Sequence, residues 1–90
     1  MTVTVILSGT LQRFAGYRRE HDCAATTPRD ALRQVSERYP QLTTILWTND
    51  GALRTAHRLF RNTEQLHSED LDRPLAEGDR LEVITAIAGG

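Results

Sequence analysis

Two alternating apolar segments stand at opposite ends of the chain, and they constrain its fold more than anything between them. Residues 2–7 place Val3, Val5 and Leu7 on one side and Thr2, Thr4 and Ile6 on the other. That is the period-two pattern of a half-buried strand rich in β-branched residues. Residues 80–86 repeat it, with Leu81, Val83 and Thr85 against Glu82, Ile84 and Ala86. Between them lies one clear helix. Thr27 is a capping residue, Pro28 suits the first helical position, and Asp30 favours the positive end of the helix dipole. Leu32, Val35 and Tyr39 then recur as one apolar stripe, which Ala31 extends, and Pro40 ends the helix after about twelve residues.

The remaining segments are weaker. Residues 17–26 alternate faintly and read as an edge strand that forms a hairpin with the first. The charged run Arg18-Arg19-Glu20-His21-Asp22 is of the kind that blunts an open edge. Leu11 and Phe14, near Gly16, tuck the connection under the sheet. Residues 41–52 read as a loop with one helical turn, anchored by Ile45 or Trp47. Residues 53–61 hold a strand centred on Leu59-Phe60, followed by a turn at Asn62-Thr63-Glu64 and a short return at Gln65-Leu66. Residues 68–73 read as a solvated acidic loop, Leu75 as a buried anchor and Glu77-Gly78-Asp79 as a turn. The order β-β-α-β-(β)-β implies a β-grasp of α+β class: a mixed sheet of four to five strands, with the terminal strands parallel at its centre and one main helix on one face. The right-handed crossover rule permits it. The chain divides into a β-grasp domain over residues 1–86 and a flexible tail over 87–90 that ends in Gly-Gly.

Composition narrows the function. Ninety residues make one domain with little room for a deep enzyme pocket. The 39% apolar and 26% charged content suits a globular chain. A net charge of −1 argues against nucleic acid as the main partner, since phosphate binding needs a concentrated positive face. No apolar run reaches the roughly 20 residues that span a bilayer, and the first residues lack a basic, cleavable leader, so no membrane partner and a cytoplasmic location are expected. All eleven basic residues are arginine, so the side chains offer no primary amine for amide-forming modification. Cys23 excludes an internal disulfide and reads as a half-buried strand cysteine. His21, His57 and His67 lack ligand spacing and read as surface or strand-end residues, so no metal site is expected. Phosphate loops, His-Glu-x-x-His, Cys-x-x-Cys and Gly-x-Ser-x-Gly are all missing. Nothing supports an autonomous enzyme.

What remains is the end of the sequence, Ile87-Ala88-Gly89-Gly90. It follows directly from a central strand and carries only small side chains after Ile87. Such a segment can pass extended through a narrow channel, and its glycines leave the last carbonyl unshielded. A carboxylate there is inert as an anion and becomes an acyl donor once joined to AMP.

The opening strand Val3-Thr4-Val5-Ile6-Leu7 leads to Leu11-Gln12-Arg13-Phe14-Ala15-Gly16. Thr27-Pro28 runs on to Leu32, and Phe60-Arg61-Asn62 forms a strand end with an asparagine turn. Pro74-Leu75-Ala76-Glu77-Gly78-Asp79-Arg80-Leu81-Glu82-Val83 precedes the small-residue Gly-Gly end. In these features, along essentially its whole length, the chain resembles the MoaD/ThiS family of ubiquitin-like sulfur carriers, most closely the CysO-like members. Thr85 departs from the proline that many relatives carry there.

The resemblance implies that the protein is a co-substrate and not an enzyme. An E1-like adenylating and sulfurtransferase partner would join AMP to the Gly90 carboxylate, and a sulfur donor would displace AMP to leave a thiocarboxylate. A second, sulfur-accepting biosynthetic enzyme would take the sulfur into a small molecule such as cysteine, a cofactor or a thio-metabolite. In CysO-like systems a metalloprotease releases the product. ATP and magnesium belong to the activating partner, and the chain binds no cofactor itself. The reacting group is Gly90, carried on Ile87, Ala88 and Gly89. Two alternatives stand beside this: the small subunit of a molybdopterin-synthase-type complex, and a ubiquitin-like modifier joined to target lysines. A carrier needs a docking face. By alternation Ile6 and Ile84 point outward on neighbouring strands, and Ala86 and Phe60 complete the expected partner-binding set. The same residues could instead lie under the loop carrying Trp47. Arg58, Arg61 and Arg80 would flank the patch and steer acidic partners, or simply form a solvated face.

Overall fold

The computed structural model describes residues 1–85. Strand β1 (Thr2–Leu7) is followed by the short helix α1 (Gly9–Gln12), strand β2 (Glu20–Ala24), the main helix α2 (Pro28–Arg38) and helix α3 (Gln41–Leu46). Strands β3 (His57–Arg61) and β4 (Glu64–Leu66), a 3-10 turn over Ser68–Asp70 and strand β5 (Arg80–Thr85) complete the chain. The five strands form one sheet in the order β2-β1-β5-β3-β4. β1 and β5 pair in parallel at its centre, with Val5 beside Leu81 and Leu7 beside Val83, and β2 and β3 flank them antiparallel. This is the β-grasp arrangement expected from the alternation of the terminal strands. The tail assigned to residues 87–90, and Ala86 before it, lie outside the described residues.

Helix α2 forms where its signals stand. Thr27 is the cap and its hydroxyl accepts from the Asp30 N–H at 3.1 Å. The stripe of Ala31, Leu32 and Val35 is fully buried against Val3, Val5, Leu81 and Val83. Each of the larger side chains contributes about 1.5–3 kcal/mol by leaving water. The helix ends as Tyr39 leaves helical geometry before Pro40.

The stretch expected as a loop with one turn is a six-residue helix, α3, because Leu42 and Leu46 lie four apart and share one buried face. The solvated loop over residues 68–73 also contains an anchor, Leu71, which is 3% exposed. Cys23 is fully rather than half buried. Its thiol lies 3.6 Å from the Ala31 carbonyl of α2, and that burial raises its pKa.

His21 and His57 correct the expectation of surface histidines. His21 is 3% exposed, set edge-on to the Tyr39 ring at 5.4 Å with Nε2 3.0 Å from the Arg18 carbonyl. Burial lowers its pKa by disfavouring the charged ring. His57 does begin a strand, but its ring is buried. The polar tips of both rings find partners on neighbouring segments, which offsets the cost of leaving water.

Candidate functional site: the outward sheet face and the end of β5

The register sorts every strand residue onto one of two faces. Partners across a ladder point to the same side, so Ile6, Glu82, Phe60 and Gln65 form one outward row. Arg58 and Ile84 form the next row toward the end of β5. The other face carries Leu7, Val83 and Leu59 against the helices. Ile84 is 38% exposed, a large apolar side chain open to water, and Phe60 is half-buried.

Ile6 stands on the same face but is only 5% exposed, so the expectation of an open Ile6 fails. Its strand is central, and both lateral neighbours, Glu20 and Glu82, are long. Arg80 reaches Glu20 at 3.2 Å. The register sets Arg80 beside Thr4 and Glu20 beside Ile6, so this ion pair spans β1 on the face that Ile6 occupies. Ile84 lies beyond that pair, toward the end of β5.

The loop carrying Trp47 does not cover this face. The Trp47 Nε1–H donates to Ser36 Oγ of α2 at 3.1 Å, which holds the ring on the helical side. The arginines also separate. Arg58 lies in register with Ile84 and spends Nη1 on the Thr55 carbonyl at 2.7 Å. Arg80 is paired with Glu20. Arg61 does not flank the patch: its Nε donates to Asp79 Oδ2 at 2.8 Å. Among the described residues, Arg58 is the cation of the three without a carboxylate partner.

Both ends of β5 are fastened. At its start, Asp79 is 7% exposed and accepts from the Ala76 N–H at 2.8 Å, from Asn62 Nδ2 at 3.2 Å and from Arg61. The Ala76 amide first, then Asn62 and Arg61, hold its pKa below the usual carboxylate value despite burial. Asn62 and Gly78 adopt left-handed backbone, φ 58° and 82°, which asparagine and glycine tolerate. The asparagine turn and the Gly-Asp turn of the sequence thus form a single knot. At the other end, Thr85 lies opposite His57, with its hydroxyl 3.1 Å from Nδ1, and its N–H donates to Ser8 Oγ at 3.2 Å. Ser8 and His57 had no assigned role in the sequence. No spacing rule joins positions 8, 57 and 85, so only the pairing of the strands reveals them.

Ile84 and Phe60 of the expected partner-binding set are thus brought to one outward face near the end of β5, while Ile6 is shielded. Ala86, Ile87, Ala88, Gly89 and Gly90 lie outside the described residues. Among the described residues, no group of three His, Cys, Asp or Glu side chains is placed to hold a metal ion, and no helix is long and apolar enough to cross a membrane.

Comparison with known proteins adds a family. A search of curated proteins by sequence found no match. Among solved structures, SAMP1 from Haloferax volcanii superposes with a TM-score of 0.87 at 26% identity, covering 100% of both chains. A chain of the Amycolatopsis orientalis BexX/CysO complex gives 0.85 at 24% identity, covering 98% of this chain and 99% of that one. A chain from the complex of subunits 1 and 2 of the molybdopterin-converting factor of Helicobacter pylori gives 0.66 at 19%, with both chains fully covered. The latter two likenesses speak to the fold alone. The ThiS family model matches residues 5–90, and the chain therefore belongs to the ThiS family of β-grasp, ubiquitin-like sulfur carriers and modifiers.

Proposed function

We propose that this protein is a sulfur carrier whose Gly90 carboxylate is adenylated by an E1-like enzyme and converted to a thiocarboxylate. The observation that carries the reading is the family match, which runs through the Gly-Gly end on a chain that leads there from a central strand. The chemistry follows from the group itself. On the partner, a carboxylate oxygen of Gly90 attacks the α-phosphorus of magnesium-bound ATP, the bond to the β-phosphate oxygen breaks, pyrophosphate leaves, and an acyl adenylate is formed. Sulfide sulfur attacks the carbonyl carbon, the C–O bond to AMP breaks, and AMP leaves. The carrier contributes an acyl group that is extended, small and addressed, and the catalytic groups belong to its partners. A second enzyme then takes the sulfur into a small molecule and regenerates the carboxylate.

Docking is assigned to the outward face around Ile84 and Phe60, with Arg58 beside Ile84 to steer an acidic partner surface. An exposed isoleucine next to a cation, at the end of the sheet from which the tail follows, gives an apolar anchor with a polar rim.

The test is intact-mass analysis of the chain after incubation with an adenylating enzyme, ATP and a sulfide source. A gain equal to one sulfur replacing one oxygen, lost when Gly90 is deleted, is the expected result. Its absence with every candidate activating enzyme from the native host would sink the reading. A second reading, a protein modifier, draws on the full-length likeness to SAMP1, a small archaeal modifier protein. It predicts Gly90 joined to target lysines in native extracts, which the carrier reading does not.

A further inference from the structure

Two segments distant in sequence, at Ser8 and His57, converge on Thr85, the last described residue before the tail. Ser8 closes β1 and occupies the cap position of α1, yet its hydroxyl makes no capping bond to that helix. Instead Ser8 Oγ accepts the Thr85 N–H at 3.2 Å, while the Ser8 N–H donates to the Val83 carbonyl at 3.0 Å. His57 opens β3 and is 7% exposed. Its Nε2 lies 2.7 Å from the Ile45 carbonyl of α3, a group that can only accept, so Nε2 carries the hydrogen. Its Nδ1 lies 3.1 Å from the Thr85 hydroxyl, within hydrogen-bond distance of a group that can serve it as donor or acceptor. The Thr85 N–H and hydroxyl are thereby both committed, and through His57 the end of β5 is tied to α3. A serine that forgoes its own helix cap and a buried imidazole satisfied at both nitrogens form more than a frayed strand end requires.

We propose that Ser8 and His57 are positioning residues: they clamp Thr85 and so set the point and direction from which the Gly-Gly tail starts. Its functional consequence rests on the carrier reading above. Docking by the outward face brings the carrier to the activating enzyme, and the clamp then determines how often Gly90 meets ATP in reactive geometry. Small misplacements of a reacting group lower the rate steeply. The clamp should therefore act on kcat, while the docking face sets KM.

The experiment compares wild type with Ser8→Ala, Thr85→Val and the double variant, using Thr85→Ser as the conservative control. Thr85→Val keeps the N–H and the branched shape and removes only the hydroxyl. Adenylation is followed by ATP–pyrophosphate exchange with the enzyme that activates the wild type. The expected result is kcat lower by about tenfold in the double variant, KM for the carrier within about twofold, and recovery in Thr85→Ser. An unchanged kcat alongside a lowered melting temperature would make the bonds purely structural and overturn the proposal. A second readout needs no enzyme: nitrogen-15 relaxation and residual dipolar couplings at residues 86–88 should show a wider spread of orientations in the double variant. Identical values in the two proteins would also overturn it. If no enzyme activates even the wild type, the carrier reading fails on its own, and the couplings still decide the clamp.

Discussion

The two ends of β5 are secured by different chemistry. Its start is held by a buried carboxylate, Asp79, that gathers a guanidinium, a side-chain amide and a backbone N–H. Its end is held by two hydroxyls and an imidazole, with no carboxylate among them. Hydrogen bonds to charged groups are about twice as strong as neutral ones, and a charge that loses its partners inside a protein is costly. The charged knot sits where the chain must turn from loop into a central strand. The hydroxyl clamp sits at Thr85, the last described residue before the Gly-Gly end, and contains no carboxylate that would be left unpaired if the segment shifted. On the proposal above, the difference separates a contact that folds the domain from one that presents its end.

Asp79→Ala should do the most damage. It removes every acceptor from Arg61, Asn62 and the Ala76 N–H, and about 3 kcal/mol of unfolding free energy should disappear in urea titration. A loss no larger than that of Thr85→Val would erase the contrast between the two ends.

Acid should expose the same contrast in stages. Burial lowers the folded pKa of His21 below the ordinary histidine value of 6.5. The unfolded chain therefore binds that proton more readily, and stability starts to fall as pH drops through the region of 6.5. The folded pKa of Asp79 lies below the ordinary aspartate value of 3.8. Its contribution is fully present above that value and is lost as pH falls through the folded pKa. His21→Gln should remove the first stage and Asp79→Asn the second, read from melting temperature against pH. The clamp at Thr85 contains no carboxylate.

Breaking the clamp costs less. Thr85→Val should lower stability by about 1 kcal/mol, the value of one neutral hydrogen bond. A larger loss would mean that the end of β5 also helps hold the fold, contrary to the comparison.

Ile84→Glu should change stability least, within about 0.5 kcal/mol, because the side chain is already open to water. The same change should weaken binding to the adenylating enzyme by at least roughly tenfold, as for a central apolar contact. The order of damage to folding and to partner binding would then be reversed between Asp79 and Ile84. An unaltered dissociation constant would move the docking face elsewhere.

Much of this was legible in the residue order. Val3, Val5, Leu7, Leu81 and Val83 alternate and are buried, because a strand with one face on a core admits no other register. Thr27, Pro28 and Asp30 start α2 where capping chemistry requires. Leu42 and Leu46 were harder to place. Two leucines four apart are too short a pattern to distinguish a helix from an anchored loop, and only the neighbouring α2 decides it. Arg61 reads as a surface cation on composition, and it is the return of the chain at Asp79 that draws it inward.

The sequence by itself determined the two terminal strands, the helix between them, the β-grasp order, and which side chains share a face. Those properties depend on periodicity and local capping, which are written in neighbouring residues. Tertiary structure alone decided what lies over each face. Ile6 and Ile84 have the same parity, yet the first is covered and the second is open: the Arg80–Glu20 pair spans β1 beside Ile6, and Ile84 lies beyond it. It also decided that Ser8, His57 and Thr85 meet. Their contact depends on the parallel pairing of β1 with β5 and the antiparallel pairing of β3 beside it, and strand pairing joins residues whose separation along the chain carries no signal.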